Sequence, residues 1–414
     1  MPGRRSRARI LPQFVGRDCA AGTKGSCRLE ALRNAIGKVS LHGHSHETFR
    51  SYGPIMRVEL SEQTSAAIAS KPTNAQALPA TPETCFWGYL DRDQPPVIEV
   101  DSGSVVAIEA VTHHSGDAAD IMMDDGVRAI WDAIDPDERA PGVHIMTGPI
   151  HVRGARPGDA ILVKILDMEP RFRYGSNCAA NWGLLYDVFG KERITIYELA
   201  EGEGFTATAS PSYAFDFNAR DLYDIPGVIS NPTASERHPF TVPVNVPVRP
   251  HFGVMGVAPP SDERISSIPP GVFGGNVDNW RLGPGASMLY PVFAEGGGLY
   301  VGDPHFAQGD GEICGTAIEA SINARIQVFH LTDLALTSPV LVHGSSWVTH
   351  GFGDTLNEAM RMSAEQMLWL LTDRLGLSAD DAYSLSSVAV DFGVTQVVDG
   401  TVGCHGIIDT SIFG

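Results

Sequence analysis

The sequence runs to 414 residues with a formal charge of −19, an apolar fraction of 43% and a charged fraction of only 19%. That excess of acid excludes binding along a nucleic-acid phosphate backbone or an anionic lipid surface, and no run approaches the ~18 apolar residues of a membrane helix. With 44 glycines and 28 prolines, the composition favours many strands and ordered loops over long surface helices.

The charge is unevenly spread along the chain. Residues 1–55 hold ten Lys/Arg against three Asp/Glu, +7, which leaves −26 on the other 359. Residues 1–80 read as a basic, disordered leader, low in apolar periodicity, with Leu29 to Ile36 as one short helix and Met56 as a second candidate start. The opening MPGRRSRARILPQF has no apolar core behind its basic start, so no secretory signal is expected. His42, His44 and His46 alternate in HGHSH; the surrounding composition favours a flexible polar stretch there over a metal site. Cys19, Cys27, Cys85, Cys178, Cys314 and Cys404 form no CxxC pair, which points to reduced thiols and a cytoplasmic protein.

From Pro95 the pattern turns to β. Residues 97–100 and 105–111 alternate around the turn signal DSG, and the second run ends in THHSGD, which puts His113 and His114 at a strand end. Adjacent strand residues face opposite ways, so one of the pair can enter a given site from regular structure. Residues 117–137 are acidic and read as a short helix or a lid. Strands are expected at 143–146, 150–152, 160–168, 205–217 and 241–248, the last confined to an edge by Pro243 and Pro247. Residues 174–188 read as a packed loop. Gly253, Gly256, Pro259 and Pro260 read as one turn, and Asn276 and Asp278 as part of the next.

Residues 302–319, GDPHFAQGDGEICGTAIE, gather more ionisable side chains among glycines than any other stretch. Asp303, His305, Asp310, Glu312 and Glu319 lie between the strand-like runs GLYV and ARIQVF, the arrangement of a polar loop carried by a scaffold. Asp303 and His305, at i and i+2, share a face if extended, and imidazole with carboxylate suits a divalent metal of Zn²⁺ or Mn²⁺ type. Downstream, a helix is expected from Thr355 to Leu375, with a Thr355/Glu358 capping box and Gly376 beyond its end. A second should start at Ser378 and run to Ser387. The tail, 388–398 and 406–413, returns to β character.

The stretch GDPHFAQGDGE…GTAIE also resembles the acetamidase/formamidase family. So do CFWGYLDRDQPPVIEVDSG (85–103), THHSGD (112–117), TGPIHVRGARPGDAILVKILDMEPR (147–171), HFGVMGVAPP (251–260), SSIPPGVFGGNVDN (266–279) and VTQVVDGTVGCHGIIDTSIF (394–413). The segments occur in one order from about residue 80 to the C-terminus, so the chain divides into the leader, 1–80, and a catalytic region, 81–414. Departures from the family lie in the leader and in loops within 171–240.

The resemblance implies hydrolysis of short linear amides, formamide or acetamide, to ammonia and a carboxylic acid. It also implies β-sandwich-like sheets with an α+β portion and a C-terminal helical segment, and a homo-oligomer. The partner is then a small amide, with no nucleic acid, membrane or organic cofactor. Amide hydrolysis requires a nucleophile, an oxyanion donor and a proton for the leaving nitrogen. The residues assigned are Asp303, His305, His113 and His114 as metal ligands, Glu312 and Asp278 as proton carriers, and Gln308 as a donor. Two alternatives stay open: a Cys314 or Cys404 nucleophile with Glu312 or Glu319 as base, and a non-catalytic β-rich module that binds a small polar ligand. A Ser-Ser-Lys arrangement finds no support in a region poor in lysine.

Overall fold

Along the strand Ala160–Pro170, Ile161, Val163 and Ile165 face one apolar core while Ala160 and Leu162 face another. This period-two alternation builds the layers on either side of the sheet. The structure is a computed structural model that describes residues 62–71, 75–112, 119–139, 142–179, 182–189, 192–217 and 237–413. Ala160–Pro170 is central in a nine-stranded sheet. Its order is Ala75–Leu78, Val105–Ala110, Ile322–Leu331, Ala160–Pro170, Ala286–Pro291, Val340–His343, Ser346–Gly353, Val402–Asp409 and Val390–Gln396.

The first core lies between this sheet and a six-stranded one, with Ile108, Ile326 and Val328 from one side and Met146, Val254 and Val301 from the other. On the opposite face of the large sheet, Leu289, Val342, Trp347 and Ile408 meet Met367, Leu371, Leu375 and Ala382 of the C-terminal helices. The expected mainly β, sandwich-like fold with a C-terminal helical segment is the one observed. A third sheet, of five strands, joins Tyr174–Ala179, Glu192–Leu199, Thr208–Phe217, His238–Pro239 and Val246–Pro247.

Several expectations hold locally. The helix Leu356–Trp369 carries the Thr355/Glu358 capping box and runs on through a wider turn, Leu370–Arg374. Gly376, at φ 67°, then ends it as a left-handed cap. The following helix, Ala379–Ala389, is capped by Ser378. Gly351 lets the long helix approach its strand: a Cβ there would stand 2.1 Å from Ala359 O.

Other expectations are corrected. Residues 62–80, assigned to the leader, include the helix Glu62–Ala69, which buries Ala67 against the helical core. They also include the strand Ala75–Leu78, in parallel register with Val105–Ala110. Lys164 Nζ donates to Ile68 O and Ser70 O at 2.7 and 3.0 Å, bonds that a disordered segment would not hold. Residues 174–188, read as a loop, begin with a six-residue strand paired to Glu192–Leu199. Edge pairing in 241–248 is limited to Val246–Pro247. In 117–137, the helix Asp125–Ala133 packs Val127, Ile130 and Trp131 against Trp87 and Ile145, so it is a core element and not a lid.

His350 supplies a polar contact inside these layers. Its Nδ1–H donates to Pro339 O at 3.1 Å, so Nε2 is left to accept from Asn279 Nδ2 at 3.0 Å. Burial, with Arg281 and His405 nearby, pulls its pKa down to about 4. A base whose folded pKa is depressed from 6.5 costs stability as pH falls, beginning near 6.5 and complete near 4. Between pH 7 and 5 this amounts to about 2 kcal/mol. His350→Gln, which can reproduce both hydrogen bonds without titrating, should lose correspondingly less stability over that interval in denaturant titrations. Parallel pH profiles for the two proteins would refute the assignment.

Candidate active site

Four neighbouring strands of the six-stranded sheet position the site: β1 (Ile145–Val152), β2 (His251–Gly256), β3 (Gly274–Asn276) and β4 (Leu299–His305), in spatial order β3-β2-β4-β1. The register pairs His305 with His251 and Gly302 with Val254. Residues directly opposite on an antiparallel pair point the same way, so the two imidazoles meet, ring centroids 4.9 Å apart. Glu319 bridges back to His305 from the following segment. Asp278 follows β3, and Glu312 follows β4 by one loop.

The carboxylates converge on a glycine. A Cβ at Gly253, in β2, would stand 2.5 Å from His305 Cε1 and 2.7 Å from both Asp278 Oδ1 and Asp303 Oδ2. Only a residue without a side chain can lie beneath this cluster. HFGVMG, read as a turn, is therefore a fully buried strand whose glycines leave room for the side chains above it. Among the described residues, the non-glycine positions with positive φ are Asp278 (53°), Asp303 (48°) and Glu312 (45°). Left-handed backbone away from glycine costs about 1–3 kcal/mol per residue and tends to gather at functional sites.

Hydrogen bonds fix the imidazole protons. His251 Nδ1–H donates to Arg249 O at 2.6 Å. Burial and the neighbouring His305 charge pull the His251 pKa down to about 3, so its Nε2 is an acceptor. His305 Nδ1–H then faces His251 Nε2 at 3.1 Å and Gln308 Oε1 at 3.2 Å. That leaves His305 Nε2 directed at Asp303 Oδ2, 3.1 Å, and Glu319 Oε2, 3.0 Å. Two carboxylate oxygens around one ring nitrogen require a positive charge between them. Burial opposes that charge on His305, but Glu319 and Asp303 outweigh it and hold the pKa well above its usual value.

The acids are raised as well. Burial pushes Asp278 up to about 7, against His305 and with Asp303 and Glu319. Burial pushes Glu319 to about 7 as well. Glu312 and Asp399 are driven well above the ordinary range, by burial first and then by Asp278. Asp278 Oδ1 and Asp399 Oδ2 are buried without a hydrogen-bond donor among the described residues. Asp303, His305 and Glu319 form one group with metal-ligating spacing, and Asp278, His305 and Glu312 form a second.

The cluster opens onto a cleft of about 470 Å³, whose wall includes Gln308, Glu312, Cys314 and Asn177. Gln308 Nε2 donates to Asp278 O at 2.8 Å while Oε1 faces His251 Nε2 at 3.0 Å, so its amide ties the aspartate loop to the histidine pair. The C-terminal strand Val390–Gln396 ties down the loop that bears Glu312. Gly311 N donates to Thr395 O, 2.7 Å, and Gln396 Oε1 accepts from Val398 N and Asp399 N at 2.9 and 3.2 Å.

Asp303, His305, Asp278, Glu312 and Gln308 are thus brought together, and the i, i+2 geometry of the first two is observed directly. His113 and His114 lie outside the described residues, as does Asp117. Asp310 lines the cleft but is held by Arg281 and Trp280, and Asn276 donates to Ile268 O. Cys404 is buried under the long helix, 3.8 Å from Leu356 O, away from the cleft. Sequence reasoning missed His251, Asp399 and His144, whose Nε2 is 3.7 Å from Asp303 Oδ2. The Asp399-Gly400 pair reads as an ordinary turn, and nothing local marks the other two.

The sequence profile of the acetamidase/formamidase family matches residues 87–266 and 261–414. An acetamidase of Mycolicibacterium smegmatis is 30% identical over 260 residues, 50% of this chain and 61% of that protein. A formamidase of Methylophilus methylotrophus is 31% identical over 215 residues, 46% of this chain and 52% of that protein. The chain therefore matches about half to two thirds of the length of these relatives. Among solved structures, an acetamidase from Bacillus halodurans is 25% identical with a TM-score of 0.63, covering 82% of this chain and 98% of its own. An acetamidase from Yersinia enterocolitica, 24% identical, shares the fold with a TM-score of 0.64 over 84% and 94% of the two chains.

Gly253→Ala tests the convergence. The added methyl must displace His305 or both aspartates, an overpacking cost of about 1–3 kcal/mol. Denaturant unfolding should register that loss, whereas unchanged stability would mean that the cluster is loosely held.

Proposed function

The chain belongs to the acetamidase/formamidase family, and from that premise we propose that it is an amidase that hydrolyses short linear amides by attack of water at the Gly253-based cluster. The observation that carries this reading is the convergence of Asp278, Asp303 and His305 on one point, with Glu312 and Gln308 between that point and the cleft.

The donor set fits a divalent cation. A cation taking the place of the His305 Nε2 proton would be met by that nitrogen and the two carboxylate oxygens, and the donorless Asp278 Oδ1 and the excess of buried acids are features it would satisfy. Asp303, His305 and Glu319 would hold it, with Asp278 and Glu312 as the adjoining group. Bound there, an ion of Zn²⁺ or Mn²⁺ type supplies Lewis acidity, lowering the pKa of water to about 7 and polarising a carbonyl.

The protein's own groups then divide the work. Glu312, whose pKa burial raises, takes the proton from the attacking water as the new C–O bond forms. It returns that proton to nitrogen as the C–N bond breaks, so ammonia leaves neutral. Gln308 has a second Nε2–H beyond the one given to Asp278 and faces the developing oxyanion. Asp278, itself near neutrality in its pKa, relays charge between Glu312 and Asp399.

A thiol route has one observation in its favour: Cys314 lines the cleft, with Asn177 Nδ2 donating to its sulfur at 3.2 Å. The carboxylate route is preferred because Glu312 belongs to the cluster itself, whereas Cys314 Sγ contacts the Thr316 carbonyl.

Glu312→Gln should retain fold and melting temperature while kcat for ammonia release falls by about 10²–10⁴. Cys314→Ala should cost less than tenfold. The reverse ranking would make the enzyme a thiol amidase. Exhaustive dialysis against a chelator should abolish ammonia release from formamide and acetamide, and Zn²⁺ or Mn²⁺ should restore it. Full activity in protein shown by elemental analysis to be metal-free would remove the cation from the mechanism.

A further inference from the structure

The cleft is too large for the amides considered so far. At about 30 Å³ per water, its 470 Å³ holds roughly fifteen waters, while acetamide has four non-hydrogen atoms. Between the catalytic wall and the opening, the lining is largely apolar, with Tyr197, Val246, Pro247, Ala307 and Ile318. Such a surface suits methylene groups.

Arg249 lies on the same lining. Its guanidinium carbon sits 4.2 Å from the Trp280 ring centroid, and it has no carboxylate partner among the described residues. The neighbouring Arg281 stacks on the same ring at 4.3 Å and commits both terminal nitrogens to Asp310, at 2.9 and 3.1 Å. Arg92, Arg153, Arg171, Arg264 and Arg325 are likewise paired with acids. Stacking fixes the plane of a guanidinium and leaves its in-plane N–H edges free for a bidentate anion. The Arg249 backbone is also held in register with the cluster. Its N–H donates to Phe306 O at 2.7 Å, and its carbonyl accepts from His251 Nδ1 at 2.6 Å.

We propose that the cleft selects amides whose acyl chain ends in a carboxylate, the half-amides of short dicarboxylic acids, and that Arg249 is the specificity-determining residue that binds this carboxylate. The proposal rests on the amidase reading above. The amide end meets Glu312 and Gln308, the methylenes lie along Val246 and Ile318, and the carboxylate meets the free guanidinium edge. A neutral acyl chain of equal length would leave that guanidinium with water alone.

Ammonia release should be measured for succinamate and for pentanamide, its neutral counterpart of similar length, with wild type, Arg249→Gln and Arg249→Lys. A charge-assisted hydrogen-bonded contact predicts a wild-type kcat/KM ratio of about 10- to 100-fold in favour of succinamate. The ratio should arise mainly in KM, fall to near one in Arg249→Gln, and be partly restored in Arg249→Lys. Calorimetric titration of the same two amides provides a readout independent of turnover. If no amide is hydrolysed yet succinamate binds in an Arg249-dependent way, the amidase reading fails and the carboxylate site stands. If wild type shows no preference for succinamate in either assay, or keeps its preference in Arg249→Gln, the proposal is overturned.

Discussion

Asp278, Asp303 and His305 converge over a single glycine, with Glu312, Glu319, Asp399 and a second imidazole, His251, close by, and this gathering sets the condition that the rest of the structure has to meet. Charges of one sign cannot be gathered out of water without protons or cations to offset them. Here the compensation is graded. Glu319 and Asp303 draw His305 towards its charged form, burial lifts Asp278 and Glu319 to about 7, and burial raises Glu312 and Asp399 well above the ordinary range. A site so arranged has carboxyls held near neutrality, Asp278 and Glu319, the condition for moving protons at ordinary pH.

Holding those groups in place strains the backbone, and the fold is arranged to absorb it. Among the described residues, the three left-handed positions outside glycine are carboxylates of the cluster: Asp278, Asp303 and Glu312. Each is bonded from more than one side. Gln308 holds the Asp278 carbonyl, β2 and β1 flank Asp303 in β4, and the segment bearing Glu312 is tied to Thr395. The buried His350–Asn279 contact braces the residue after Asp278 from the large sheet. Rigidity of this kind comes from sheets packed on both faces, which is why the site lies at strand ends between layers and not on a mobile loop.

Much of this was legible in the sequence. Helix caps, most strand positions and the grouping of Asp303, His305, Glu312 and Gln308 follow from local chemistry, because each signal lies within a few residues, whereas Asp278 was read from a separate turn upstream. What escaped was set by distance. His251 enters the site through cross-strand register with His305, 54 residues away. Asp399 arrives from a C-terminal turn pinned by Gln396. Gly253 and Gly256 looked like turn formers because a glycine needed for close approach is indistinguishable, in one sequence, from a glycine needed for conformation. The leader boundary was misplaced for a related reason: residues 62–80 gain their order from contacts with Lys164 and the edge of the large sheet, and not from a pattern of their own.

The site also separates chemistry from selection. The acid cluster sits on β2, β3 and β4, where neighbouring backbone leaves no freedom: at Gly253 even a methyl group collides with the cluster. The cleft's far wall belongs to a different sheet, with Asn177, Tyr197 and Val246 coming from its strands. Changes there alter the shape and polarity of the acyl pocket without touching His305 or Glu312. The strands beneath the carboxylates, by contrast, are constrained by packing. Arg249 stands at the junction, its backbone bonded to the catalytic strands and its side chain on the cleft lining. A residue placed there can couple the identity of the acyl chain to the placement of the scissile carbonyl.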